Sequence, residues 1–449
     1  MGTTSTLNSV LTALGGSTGI DVTAAVATIL DAKRAPERAW VAQQTTLRSE
    51  TSAISQLQNE SSALSDTLTK LQNSGGALSS VSAITSNSSL LTASAVAGTP
   101  SSSHLITINK LASTASWYSD AQSSSSTALA GGSFDITTGG STKTIQVSAG
   151  STLNDLVASI NSRFLGVTAN VITDSSGARL SLVSNTSGSA ADLSVSNDSA
   201  LPFTRANFGT DASIKVDGVP IQSASNIVSG AIAGVTLNLQ GSSGAEINLS
   251  LAPDTTSITS AIGNFVSAYN TLIADVNSQF SYNQATHTAG TLQADSAIQS
   301  LQSELLAATN YMAGSGSYST LTSLGINTNR DGTLSIDFKT LAAAIQTSGP
   351  AVAQLFQGTA GDGFVASLNA TLITYTDPTQ GAFTIDLKSI SSQDQDLTAE
   401  TNRLELYLTS QKTVLTAQYN AADIAIQQLP QKLKQIQALL NPNSSNSSL

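Results

Sequence analysis

Three groups of residues in this 449-residue chain have types or spacings that could do chemistry. Gly15-Gly16-Ser17-Thr18-Gly19 has the G-x-S-x-G spacing of a nucleophile elbow, a tight turn between a strand and a helix that lifts a serine Oγ toward a carbonyl. Such a turn needs an apolar strand before it, and the residues ahead of Gly15 are Ser, Thr and Gly with scattered apolar side chains. A chance match in a Ser- and Gly-rich chain is the better reading. The two histidines, His104 and His287, have the right side chain for a general base, but they lie far from Ser17 and from each other with no motif around either. Both read as surface or packing residues. Asn327, Asn329, Asp331 and Gly332 mimic positions one, three, five and six of a calcium-binding loop, whose twelfth position must be a bidentate acid. That position is Phe338, so a hairpin turning at Asp331-Gly332 is expected instead. No Gly-rich phosphate loop, clustered metal ligands or paired catalytic carboxylates accompany them, so the chain is read as a non-enzyme with no catalytic, metal or cofactor site.

Composition points the same way. Cysteine is absent, which removes disulfides, thiolate metal sites and cysteine nucleophiles by counting alone. Lys and Arg number 18 against 29 Asp and Glu, and the resulting net charge of -11 disfavours nucleic acid and anionic lipid as partners. Hydrophobic residues make up 40% and aromatic ones only 4%, so any core must be built from Leu, Ile, Val and Ala. Charged residues are sparse and Ser and Thr abundant, a composition common in secreted bacterial proteins. Met1 to Gly19 carry neither a basic cluster nor a continuous apolar run, so they read as a disordered tail rather than a signal peptide or membrane anchor.

The elements that would position any function are long helices. Asp21 is expected to cap a helix with Val22, Val26 and Ile29 on its apolar face, ending near Ala35-Pro36. Beyond it Leu47, Ile54, Leu57, Leu64, Leu68, Leu71 and Leu78 recur at spacings of seven, three and four, a narrow heptad seam that needs another helix to cover it. The far end supplies one: Leu415, Tyr419, Ala422, Ile426, Leu429, Leu433, Ile436 and Leu440 alternate by four and three, with Pro430 predicting a kink or break. From about 98 to 255 the pattern changes to short alternating runs between Gly, Asn, Asp and Ser, the signature of strands. Phe134–Thr137, Thr144–Val147, Val167–Thr173 and Arg179–Val183 are the clearest, whereas the run from His104 to Lys110 alternates poorly. Thr152 with Asp155 forms a capping-box pattern ahead of a short helix. The helical pattern resumes near Ser257, with Ile258, Ile262, Phe265, Val266, Tyr269, Ile273 and Val276 on one face.

The predicted fold is therefore α+β and multidomain: an antiparallel coiled-coil-like helical stalk from both termini, with a β-rich insertion of two units forming a head. The expected segments are a tail and leg helix (1–45) pairing with a C-terminal leg (410–449), and a stalk from 46–97 and 257–409 that carries a hairpin at 324–337. The head comprises an inner unit (98–120 and 206–256) and an outer unit (121–205). The residues expected to carry helix packing and assembly are Ile54, Leu57, Leu64, Leu68 and Leu71 at one end, and Leu415, Tyr419, Ile426, Leu429, Leu433, Ile436 and Leu440 at the other.

Taken in order, several blocks resemble the flagellar filament cap family, also called hook-associated protein 2. They are Gly19-Ile20-Asp21-Val22 with Pro36 and the Leu-rich helix, Asn109-Lys110-Leu111-Ala112, Thr152 to Asn161, Gly166 to Val183, Asp211 to Gly218 and Gly234-Val235-Thr236-Leu237. The more specific blocks follow: Phe265-Val266-Ser267-Ala268-Tyr269-Asn270, Gly290-Thr291-Leu292 with Asp295, Leu324-Gly325-Ile326, Asp331-Gly332-Thr333-Leu334, Val352 to Phe356, Gly381 and Arg403-Leu404. Pro430 and Tyr419 depart from the family's usual C-terminal helix. The resemblance implies a cap at the tip of the bacterial flagellum that helps exported flagellin fold and insert. It further implies a homo-oligomeric ring, commonly a pentamer, whose terminal helices act as legs. Flagellin, hook-filament junction proteins and a flagellar export chaperone are the implied partners, with secretion through the flagellar export apparatus, no cofactor, no nucleic acid and no membrane insertion. Two alternatives stay open on the residues alone: another axial protein such as a junction protein, and a tip adhesin that binds surface glycans.

Overall fold

Asp21 opens helix α1 (Val22–Lys33) by accepting a hydrogen bond from the Ala24 N–H at 2.9 Å, the expected N-cap. The computed structural model describes residues 21–284, 288–314 and 316–440; the Gly15–Gly19 motif and His287 lie outside them. The remaining helices are α2 (Ala35–Gln72), α3 (Leu153–Asn161), α4 (Thr255–Gln279), α5 (Ser296–Ala308), α6 (Phe338–Gln357), α7 (Phe364–Thr376) and α8 (Ala382–Leu440). Interleaved with them are antiparallel sheets, so the chain is an α+β mixture. It forms two compact units.

The first unit draws on the chain up to residue 64, on 271–306 and from 370 onward. Pro36, in the first turn of α2, has no N–H to continue α1, and the chain breaks at Arg34 between the two helices. Leu47, Ile54 and Leu57 of α2 are buried together with Leu272, Ile273 and Val276 of α4, Leu301 and Leu305 of α5, and Phe383 and Ile390 of α8. The Tyr375 and Phe383 rings meet at 5.8 Å. Ser61 fills a seam position and is also buried. Helix α8 has 59 residues, on the order of 90 Å at 1.5 Å per residue. Contrary to expectation it runs through Pro430 without an interruption. The proline removes only its own N–H bond to Ile426, and on a solvent-exposed helix the freed carbonyl can turn to water.

The second unit comprises 65–270 and 307–369. One of its cores lies between a five-stranded sheet, in the order Val81–Thr85, Glu246–Pro253, Ser102–Lys110, Ala212–Val216 and Val219–Ser223, and a three-stranded sheet of Ile227–Ile232, Val235–Leu239 and Leu91–Ala95. Two sequence expectations fail here. Strands begin at Val81 rather than near 98, because the Leu periodicity reaching Leu78 conceals the helix end at Gln72, just ahead of Gly75-Gly76. The run containing His104 is a central strand whose inward residues are Ile106 and Ile108, while Leu105 faces out. The Asp217-Gly218 turn takes φ of 51° and 83°, the double left-handed geometry that joins tight hairpins.

A separate core, running from Ala115 to Leu201, packs a four-stranded sheet (Phe203–Asn207, Ser116–Ser119, Gly177–Ser184, Val167–Asp174) and a three-stranded sheet (Ser141–Val147, Gly132–Thr138, Leu193–Ser196) around Leu153, Leu156 and Ile160 of α3. The Thr152–Asp155 capping box is present. Ser113 and Thr210 exchange backbone hydrogen bonds of 2.9 and 3.1 Å, so the chain enters and leaves this core side by side. In the helical remainder of the unit, Phe265, Phe356 and Phe364 stack edge-on at 5.5–6.5 Å. The Asn270 side-chain amide pairs in both directions with the Leu334 backbone, at 2.8 and 2.6 Å, and anchors the hairpin of Ile326–Thr328 and Leu334–Ile336. Asp331-Gly332 turns that hairpin, and Asp331 Oδ1 accepts from the Thr333 N–H and hydroxyl.

Candidate assembly surface

The helix pairing of the first unit is held by side chains far apart in sequence. Lys33 Nζ donates to the Tyr407 hydroxyl at 3.5 Å, the Arg34 guanidinium forks onto the Glu405 carboxylate with Nη2–Oε2 at 3.0 Å, and Gln44 Nε2 donates to Thr398 Oγ1 at 3.0 Å. Partner numbers fall as the first numbers rise, so α1 and the start of α2 run antiparallel to α8. Arg34 also bridges Glu37 one turn along. The Glu405 bond and then the Glu37 bond hold its guanidinium above the usual value. Nothing local marks Glu405 as the partner; only the i,i+3 spacing of Arg34 and Glu37 is legible beforehand.

The predicted packing residues separate into two populations. Ile54, Leu57 and Leu64, with Leu68 and Leu71 beyond them, are buried to 1% exposure or less. They form intramolecular core. On α8 the last buried side chain among the described residues is Leu408. Beyond it Leu415, Tyr419, Ile426 and Leu433 are half-buried, Leu429 and Ile436 are 45% and 51% exposed, and the side chain of Leu440 lies outside the described residues. Val414, Ile424 and Leu439 are further exposed apolar side chains on this stretch. A helix end of this length with apolar side chains in water offers a surface to a further helix.

Carboxylates also line this unit. Burial pushes Glu60 up to about 7, with the Asp275 charge adding to it and the Gln56 amide acting against it; Gln56 Nε2 bridges Glu60 and Asp275. Glu50 and Asp386 are raised by burial and then by the charge of Asp295. They share with Asp295 a cleft of about 270 Å³. No set of metal-ligating residues occurs among the described residues.

Paired helices with an exposed apolar face, and β segments inserted between them in sequence, define a class: multidomain α+β proteins whose distinctive surface is a helix face. Comparison with known families narrows it. Residues 18–115 match the N-terminus of flagellar hook-associated protein 2, and residues 209–431 match its C-terminus. Residues 133–186, inside the core that falls between those two segments, match the flagellin hook IN motif. The flagellar hook-associated protein 2 of Aeromonas caviae is 29% identical over 448 residues, covering 92% of this chain and 95% of its own. The B-type protein of Pseudomonas aeruginosa is 31% identical over 378 residues, covering 74% and 78%. The crystal structure of the flagellar cap protein FliD D1-D2-D3 domains from Escherichia coli aligns with a TM-score of 0.62 at 26% identity, over 76% of this chain and 99% of that one. The chain belongs to the flagellar hook-associated protein 2 family.

Proposed function

We infer that this chain is the structural cap at the distal tip of a flagellar filament. The observation that carries the reading is family membership over both terminal regions together with a long α8 whose outer half leaves its apolar stripe only partly covered. The antiparallel helices of the first unit serve as a coiled-coil-like stalk, and the two β cores as the two-unit head that forms a plate. Exposed Leu429 and Ile436 then dock as a leg against helices of flagellin, a junction protein or a neighbouring copy in a ring of about five subunits. Marginal apolar content suits a contact that must release and re-form as each exported flagellin folds and inserts beneath the cap. Export through the flagellar apparatus, with a dedicated chaperone, is compatible with a chain that has no cysteine to cross-link. No helix among the described residues is long and apolar enough to cross a membrane. Nothing in this role requires a reaction.

Deleting the gene tests the proposal. Intact hooks with flagellin monomer released into the medium are expected; normal filaments would refute capping. Restoring the chain with Leu429→Asp and Ile436→Asp should leave the protein folded and secreted while filaments stay short, and electron microscopy of the purified protein would count subunits per ring.

A further inference from the structure

His104 lies in the central strand Ser102–Lys110 and Asp217 in the turn that closes the hairpin of Ala212–Val216 and Val219–Ser223, 113 residues apart in sequence. The Asp217 carboxylate is fixed through both oxygens. Oδ1 accepts from the Leu105 N–H at 2.8 Å, and Oδ2 stands 2.8 Å from His104 Nδ1. Hydrogen bonds from His104 and from the Leu105 N–H hold this carboxyl below the usual carboxylate range. An ionised carboxylate can only accept, so Nδ1 carries the proton and Nε2 is left with its lone pair. Opposite that lone pair, at 3.0 Å, is the Oγ of Ser102, whose single proton has the Pro100 carbonyl at 3.4 Å as a second, longer acceptor. Serine, histidine and aspartate thus stand in the order and at the separations of an acyl-transfer relay, with the imidazole oriented by a carboxylate that is itself anchored. Two features make the set more than a surface hydrogen bond. Ser102 and His104 are two residues apart on a strand paired there with Glu246–Pro253 and so share a face, and the His104 side chain retains 20% and Asp217 52% of its exposure, which leaves the group reachable.

We propose that Ser102 is a primed nucleophile, activated by His104 and Asp217, that accepts the acyl group of small activated esters. As Ser102 Oγ bonds to the ester carbonyl carbon, its proton passes to His104 Nε2. The carbon–oxygen bond to the leaving alcohol then breaks, and the alcohol departs with that proton. Water attacks the acyl-serine in turn and gives its proton to Nε2; the bond from the carbonyl carbon to Ser102 Oγ breaks, Oγ takes that proton back from Nε2, and the carboxylic acid leaves. Without an enclosing substrate pocket the gain is that of general-base assistance alone, roughly 10²–10⁴-fold over an unassisted hydroxyl.

The full chain incubated with p-nitrophenyl acetate, and separately with a fluorophosphonate probe, provides the test. Peptide mass mapping compares Ser102 with its exposed neighbour Ser103, which hydrogen-bonds Asn248 instead, in the same molecule and independently of any variant's folding. Modification concentrated on Ser102 at least 100-fold over Ser103 is expected. His104→Gln should abolish the preference and Asp217→Asn should reduce it at least tenfold, with hydrogen exchange of strand 102–110 reporting that the sheet remains. Equal labelling of the two serines, or a Ser102 preference unaffected by His104→Gln, would overturn the assignment and leave His104 as a strand-to-turn tie.

Discussion

Glu60 shows what a partly buried carboxyl does to a helical unit. Its folded-state pKa, pushed up to about 7 from an ordinary 4.5, means the native state holds the proton more tightly than the unfolded chain. Stability from this residue is therefore full below the ordinary value, declines as pH rises from there toward 7, and stays low above. Glu60→Gln should raise the unfolding free energy at pH 8 by on the order of 1 kcal/mol once solvent screening is counted, with a higher thermal midpoint, and change little at pH 4. Calorimetry at both values checks it; equal shifts would mean that the carboxyl is not the cause. None of this was legible in the sequence, since the Asp275 and Gln56 neighbours arrive through tertiary packing. Local signals fared better: Asp21, Thr152 with Asp155 and Asp331-Gly332 each act within a few residues of themselves, and each is found where its side-chain chemistry requires.

Among elements, the heptad pattern identified both long helices but could not distinguish a buried seam from an exposed one. Leu57 and Leu429 recur in similar sequence patterns, and one is fully buried while the other remains 45% exposed. Periodicity reports that a face is apolar, while the partner determines whether it is covered. Leu57→Ala should accordingly cost about 2–5 kcal/mol in urea unfolding, whereas Leu429→Ala should stay within about 0.5 kcal/mol for the monomer and act only on self-association or docking. Sedimentation velocity separates the two effects, and a Leu429→Ala variant as destabilised as Leu57→Ala would place that residue in the intramolecular core. Pro430 stays within a continuous helix because only its own N–H bond is lost on a largely exposed stretch, and Val81–Ala95 carries no strand signal because Ser- and Thr-rich strands of five residues lack a strong alternation.

At the scale of the whole molecule, the insertion of β structure between helical ends was readable from the switch of period, while the pairing of sheets was not, because order depends on contacts across more than 100 residues. The core from Ala115 to Leu201 has its own aromatic contact, Phe134 to Phe203 at 5.0 Å, its own Arg205–Asp192 ion pair, and entrance and exit strands stitched at Ser113 and Thr210. A fragment spanning 113–210 should fold alone and melt cooperatively, followed by fluorescence of Trp117, whose indole N–H donates to the Leu193 carbonyl at 2.7 Å. A fragment with non-cooperative melting would show that this core depends on its neighbours. The first unit cannot behave this way, since it is assembled from three stretches of chain, the last beginning at residue 370. A ribosome delivers residues from the N-terminus onward, so both stretches of the second unit, the later ending at 369, have emerged before α8 exists. By then α2 can already meet α4, as the Gln56–Asp275 hydrogen bond shows, whereas α1 must wait for that whole interval, so the closing of α8 onto α1 comes late in the maturation of each newborn molecule.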